Sequence, residues 1–275
     1  MSRSQYWMPG LRWGQRMSDG TVIDAMVGAL TDPFDEVHMG VTAENVARKW
    51  NISREDQDRL AVEGHRRATH AIQQGIFKEQ IVPIEIPSKK KTVLVDTDEQ
   101  PRADVTLEGL AALKPAFDQS GSVTAGNASG LNDGAAAVVL MEARAAKERG
   151  LKPIARLLAH SVVGVDPKYM GIGPVPAIKQ VLAKAGLNVS DIDVFEVNEA
   201  FAAQALAVIR DLNLPPEKTN PNGSGVALGH PLGATGAILT VKALYELRRR
   251  SGRYAVVSMC IGGGQGIAAA FEAVE

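Results

Sequence analysis

The chain is poor in the residues that would commit it to several common kinds of chemistry. Among 275 residues there is one cysteine, Cys260, so no internal disulfide is possible, and a reducing compartment is expected. The five histidines are scattered, and with one thiol they offer no zinc spacing. The net charge of −1 carries no excess of basic residues, which argues against a phosphate-backbone partner or a basic membrane patch. No apolar run is long enough to span a bilayer. The opening MSRSQYWMPGLRWGQRM does not read as a signal peptide, because Trp7, Pro9 and several arginines interrupt any apolar core. Nucleotide signatures are missing too: neither Gly171-Ile172-Gly173 nor the glycines after Cys260 complete G-x-G-x-x-G, and there is no P-loop lysine. There is also no G-x-S-x-G elbow.

What is present is a soluble-protein composition, 45% apolar and 22% charged, long enough for one or two domains. An amphipathic stretch over 18–30 predicts a short helix, and a second helix is expected from near Thr42. Ser53-Arg54-Glu55-Asp56 has the form of a capping box opening a helix that runs to Gly75. His65 and His70, five apart, do not share a face as metal ligands would, and both are expected to be solvated. Short strands, charged loops and a helix over 107–113 are expected next, with Lys89 to Lys91 read as a solvated turn. The small-residue run VTAGNASGLNDGAAA lets backbone or a flat ligand approach closely, and 135–141 is strand-like. After Pro153 the texture changes to alternating βα units.

Three polar residues in this second part occupy corresponding places. Asn198 follows a strand and precedes a helix, His230 sits in the glycine loop PNGSGVALGHPLGATG, and Cys260 ends a strand before Gly262, Gly263 and Gly264. In open α/β folds such positions gather at one edge of the sheet, where ligands bind. Cysteine and histidine supply a nucleophile or an acid–base pair, and asparagine or the Gly262 N–H can donate to an oxyanion. Each residue also has a plain structural reading: a buried thiol, a surface histidine, and a helix cap at Asn198.

The blocks VNEAFAAQ, NPNGSGVALGHPLGATGA and SMCIGGGQGIAAAFE, with HMGVTAENVA and TAGNASGLNDGAAA upstream, resemble the thiolases in order and in detail. YWMPGLRWGQRM and MGIGPVPA resemble the bacterial β-ketothiolases of acetoacetyl-CoA and polyhydroxyalkanoate metabolism. The resemblance covers positions 6–271. It implies a layered αβαβα fold, a mixed sheet with helices on both faces and an inserted loop domain. It divides the chain into a CoA-binding loop domain over 1–131 with an N-terminal oligomerisation loop, a returning segment of the first half over 132–152, and a C-terminal domain over 153–275.

The activity implied is a Claisen condensation of acetyl-CoA with an acyl-CoA, or the reverse thiolysis of a 3-ketoacyl-CoA. A nucleophilic cysteine takes the acyl group and a second cysteine moves the α-proton of acetyl-CoA. By the resemblance Cys260 is that second, acid–base cysteine, and His230 activates the nucleophile and donates to the thioester oxygen. Asn198 holds a water in the oxyanion hole, and Gly262 donates its N–H. CoA contacts are implied for His38, Met39, Arg102 and Ser129, with Phe117, Met170 and Phe201 lining the pantetheine tunnel. Coenzyme A and its thioesters are expected as substrates, with no permanently bound cofactor, in a cytoplasmic dimer or tetramer with neither nucleic-acid nor membrane partners. The resemblance further implies that the first half, with the acyl-accepting cysteine, lies outside these residues. The chain alone is therefore expected to be inactive, its first sheet incomplete and apolar surface exposed. The alternatives are a degradative 3-ketoacyl-CoA thiolase and a CoA-binding fragment or subunit.

Overall fold

The computed structural model describes residues 1–87 and 91–274. A two-residue pairing of β1 (Tyr6–Trp7) with β2 (Ile23–Asp24) leads directly into α1 (Ala25–Ala29). The helix expected over 18–30 is therefore confined to its last turns. Ile23 is taken by pairing with Trp7, and the Asp24 carboxylate accepts from the Met26 N–H as an N-cap. His38 caps α2 (Met39–Lys49) through Nδ1, which accepts from the Gly40 N–H at 3.0 Å. The capping box of Ser53 and Asp56 opens α3 (Arg54–Gln73), as the spacing predicts.

A small antiparallel hairpin, β3 (Ile84–Ile86) with β4 (Val93–Val95), stands with all six residues exposed. Lys89 and Lys90 of the expected solvated turn lie outside the described residues. After α4 (Leu107–Ala111) the chain reaches the segment expected to be a strand over 135–141, and no strand is there. Val139 is 89% and Leu140 77% exposed, in keeping with the expected bare apolar surface. Apolar, strand-prone composition needs a neighbouring strand to take its N–H and C=O groups, and the described residues bring none alongside. The short helix α5 (Ala143–Glu148) follows.

The remaining elements build the sheet that carries the site. They are β5 (Ala155–Gly164), α6 (Pro174–Ala185), β6 (Val194–Val197), α7 (Ala202–Leu212), α8 (Gly225–Leu228), α9 (Thr235–Arg249), β7 (Tyr254–Ile261) and β8 (Gln265–Ala273). The strand order is β5-β8-β7-β6, with β6 and β7 parallel and the other pairs antiparallel. Alternating side chains of the strands face opposite layers. Val194, Ala255 and Val257 pack with Leu239, Ala243 and Leu247 of α9. Phe195, Val197 and Val256 pack with Ile178 and Val181 of α6 and Val208 of α7. The result is the mixed sheet with helices on both faces. A buried ion pair ties the α9 face to the sheet: Lys242 Nζ donates to Glu196 at 2.8 Å and to the Gly223 carbonyl at 2.5 Å. Among the described residues no helix is long and apolar enough to cross a membrane.

Candidate active site

The β7–β8 hairpin presents Cys260 one residue before the end of β7, buried at 6% exposure. Around the thiol lies an apolar cluster containing Met39, Val123, Met170, Ala200 and Phe201, with Phe117 packed against it. Phe117, Met170 and Phe201, expected to line the pantetheine tunnel, and Met39, an expected CoA contact, thus share one cluster with the cysteine. Phe117 is gripped from two sides: His38 stacks on it at 4.7 Å between centroids, and Phe201 meets it edge-on at 6.0 Å. Gly40 is what lets α2 come so close, since a Cβ there would lie 2.3 Å from the ring. At Gly262 the approach is looser, since an added Cβ would lie 3.2 Å from Cε, the flexible end of Met39.

Ser129 lies along the start of α7, its N–H donating to the Ala200 carbonyl at 3.0 Å, while Ala128 bridges to Phe201. Arg102 is not part of this cluster; it is exposed, and its backbone N–H donates to His65 Nδ1 at 3.1 Å. His65 corrects an expectation. It is only 6% exposed, because Ala61, Gly64 and Ala68 put that face of α3 into the core. His70 is exposed, as expected.

Asn198 sits immediately beyond β6, where its N–H donates to the Ser258 carbonyl at 2.9 Å and so continues the ladder toward Cys260. It is no helix cap, since Phe201 holds the N-cap position of α7. Its Nδ2 faces His230 Nε2 at 3.4 Å, and its buried Oδ1 has no partner among the described residues. On the other side of the ring, His230 Nδ1 meets Thr235 Oγ1 at 2.7 Å. With the Asn198 amide nitrogen facing it, Nε2 accepts and Nδ1 carries the proton that Thr235 receives. The Thr235 hydroxyl also donates when rotated, so it serves the opposite tautomer equally well. Nothing in the spacing of positions 230 and 235 signals this pairing; the turn at Leu232–Ala234 brings them together.

Burial dominates the electrostatics. It pushes His230 down to about 4 and Cys260 up to about 12, so both groups rest uncharged near neutrality. Next to Asn198, the buried Glu199 is pushed up to about 7 by burial; one oxygen accepts from Asn220 Nδ2 at 2.8 Å and the other has no partner among the described residues. The folded state therefore binds more protons at Glu199 than the unfolded chain between its ordinary 4.5 and about 7, and stability falls as pH rises through that window. Glu199→Gln keeps an acceptor for Asn220 without the charge. It is expected to stabilise the chain above pH 7 by on the order of 3 kcal/mol, with no gain near pH 4.5, as read from urea melts at the two pH values.

The family profile described as thiolase, N-terminal domain, matches residues 1–144, and the profile described as thiolase, C-terminal domain, matches residues 151–273. Beta-ketothiolase BktB of Cupriavidus necator is 61% identical over 275 residues, a match covering 100% of the chain and 70% of that relative. Among solved structures, the acetyl-CoA acetyltransferase of Bacillus anthracis superposes with a TM-score of 0.95 at 52% identity, over 99% of this chain and 69% of that one. Human mitochondrial 3-ketoacyl-CoA thiolase in complex with CoA gives a TM-score of 0.90 at 44% identity, over 99% of this chain and 68% of that one.

Proposed function

The chain belongs to the thiolase family and is an acyltransferase of that type, and from this premise we propose that Cys260, His230, Asn198 and Gly262 form the part of its site that makes and holds the enolate of acetyl-CoA. The observation that carries the proposal is that Asn198, whose amide faces His230, extends β6 alongside the end of β7 that holds the buried Cys260 thiol.

In this reading CoA thioesters are substrates, with no cofactor held permanently. The apolar cluster of Met39, Phe117, Met170 and Phe201 receives the pantetheine arm, Ser129 and His38 contact it, and Arg102 faces the charged end of CoA. In the thiolytic direction the resting thiol of Cys260 gives its proton to the carbanion of the departing acetyl-CoA. In condensation the proton moves the other way, from the α-carbon to a Cys260 thiolate, and the electron pair left on carbon delocalises onto the thioester oxygen. That oxygen is held by the Nε2–H of His230, in the tautomer where Thr235 donates to Nδ1, and by a water on Asn198. The Gly262 N–H holds the tetrahedral intermediate formed when the carbanion attacks an acyl group. A neutral His230 suits this role, because its Nε2–H donates to the oxygen without the cost of a buried cation.

Within this reading the alternatives are a β-ketothiolase working in condensation and a degradative 3-ketoacyl-CoA thiolase working in cleavage. Relative rates on short and long 3-ketoacyl-CoA separate them. The complete site is proposed to work in a cytoplasmic homo-oligomer. The single cysteine favours a second reading, a CoA-binding module or a subunit completed by another polypeptide.

Exchange of the acetyl methyl protons of acetyl-CoA in D2O, followed by mass spectrometry, decides between the two, because it needs no acyl-accepting thiol. The enolate reading expects exchange by the chain, and a loss on the order of a hundredfold in His230→Ala. CoA binding with no exchange in the unaltered chain overturns it in favour of the binding module.

A further inference from the structure

The loop that carries His230 is held from outside the C-terminal layers. Gly229 has φ +95°, and a Cβ on it would lie 2.4 Å from Asn132 Cγ, so the Asn132 amide rests directly on the loop backbone. Asn132 Oδ1 accepts from the His230 backbone N–H at 3.3 Å, and Asn132 Nδ2 donates to Gln100 Oε1 at the same 3.3 Å. One residue pair further along, Gly134 packs on Pro231, whose Cγ would be 2.7 Å from an added Cβ.

Three segments therefore converge on one histidine. Asn132 engages its backbone nitrogen, Thr235 its Nδ1, and Asn198 its Nε2. With the backbone nitrogen and Nδ1 both anchored, the two side-chain torsions have little freedom and the direction of Nε2 is set. We propose that Asn132 is a positioning residue: its side-chain carbonyl anchors the His230 backbone and so aims Nε2 at the reacting oxygen. The inference rests on the catalytic reading of His230; the loop itself holds the other end of that residue's backbone, the Leu232 N–H donating to the His230 carbonyl at 2.8 Å. Gln100 extends the hold, since its carbonyl oxygen fixes which way the Asn132 amide faces.

Asn132→Asp and Asn132→Leu are close to asparagine in size, but only the first retains an acceptor for the His230 N–H. Two readouts are compared with the unaltered chain: the His230 amide proton shift by NMR, and acetyl-CoA methyl-proton exchange at saturating and limiting substrate. In Asn132→Leu the amide proton is expected to move upfield and saturated exchange to fall about tenfold with CoA affinity unchanged, the effect of leaving one partly buried donor unpaired and the histidine less firmly held. In Asn132→Asp the amide shift stays and exchange remains within about threefold. If Asn132→Leu does not fold by circular dichroism, Gln100→Leu, which spares Asn132 but frees its amide, is expected to move both readouts the same way by less. Leu and Asp variants that behave alike, or an amide shift and exchange unmoved in the folded Leu variant, overturn the proposal. His230→Ala separates the two ideas. Exchange that survives in it sinks the catalytic reading, while the amide shift still reports on the anchor.

Discussion

Cys260→Ala should abolish acetyl-CoA methyl-proton exchange, a loss on the order of a hundredfold or more, with CoA affinity changed by less than about threefold. The thiol is one member of an apolar cluster whose larger parts, Met39, Phe117, Met170 and Phe201, keep their mutual contacts when a single sulfur is removed. Binding should therefore survive while the proton shuttle is lost. Cys260→Ser is expected to fare no better than alanine, because a hydroxyl is a far weaker acid than a thiol and its alkoxide is not populated in a buried site. The same burial gives a second, independent signature. With its pKa pushed from 9.0 to about 12, Cys260 should react with iodoacetamide at pH 8 roughly a thousandfold more slowly than an unperturbed thiol. The rate should climb about tenfold per pH unit up to pH 11 in the folded chain. Rapid alkylation at pH 8 would mean that the thiol is not buried as described, and full exchange in Cys260→Ala would remove it from the mechanism.

Gly225→Ala is expected to disable the site from the far side of Asn198. A Cβ at position 225 would stand 2.5 Å from the Glu199 carbonyl oxygen and 2.9 Å from Asn198 Oδ1. The first contact is backbone and has little room to give. Asn198 is anchored to Ser258, the Ala200 carbonyl is bonded to Ser129, and the Ala202 N–H to the Asn127 carbonyl. The strain must appear as lost stability, about 1–3 kcal/mol, and as displacement of the Asn198 amide from His230. Exchange should fall at least about tenfold. Gly233→Ala is the control, because nothing lies within 4 Å of its added Cβ and its φ is not positive. A melting temperature and an exchange rate that do not distinguish the two variants would refute the close approach as a determinant of the site.

Much of this architecture is readable without coordinates, and the parts that are not have a common cause. The α3 capping box, the β7–glycine–β8 hairpin and the β6 strand leading into Asn198 all follow from interactions within a few residues. A serine reaching the third N–H, or a short β-branched run stopped by glycines, is complete in the local chain. The family blocks add the grouping of Asn198, His230 and Cys260, because their order along the chain is itself a pattern. Three things were settled only in the tertiary structure. The stretch 135–141 has the composition of a strand and is none, since strand formation depends on a partner that local sequence cannot supply. His65 is polar yet buried, since its burial is decided by what packs on α3 and not by its own chemistry. The hold of Thr235 and Asn132 on His230 joins residues that no periodicity relates, one across a tight turn and one from 98 positions earlier in the chain. Residue types determined which chemistry was available to this protein. Packing decided how far Cys260 and His230 are moved from their ordinary pKa values, because removal of water from around a group is a property of everything folded over it.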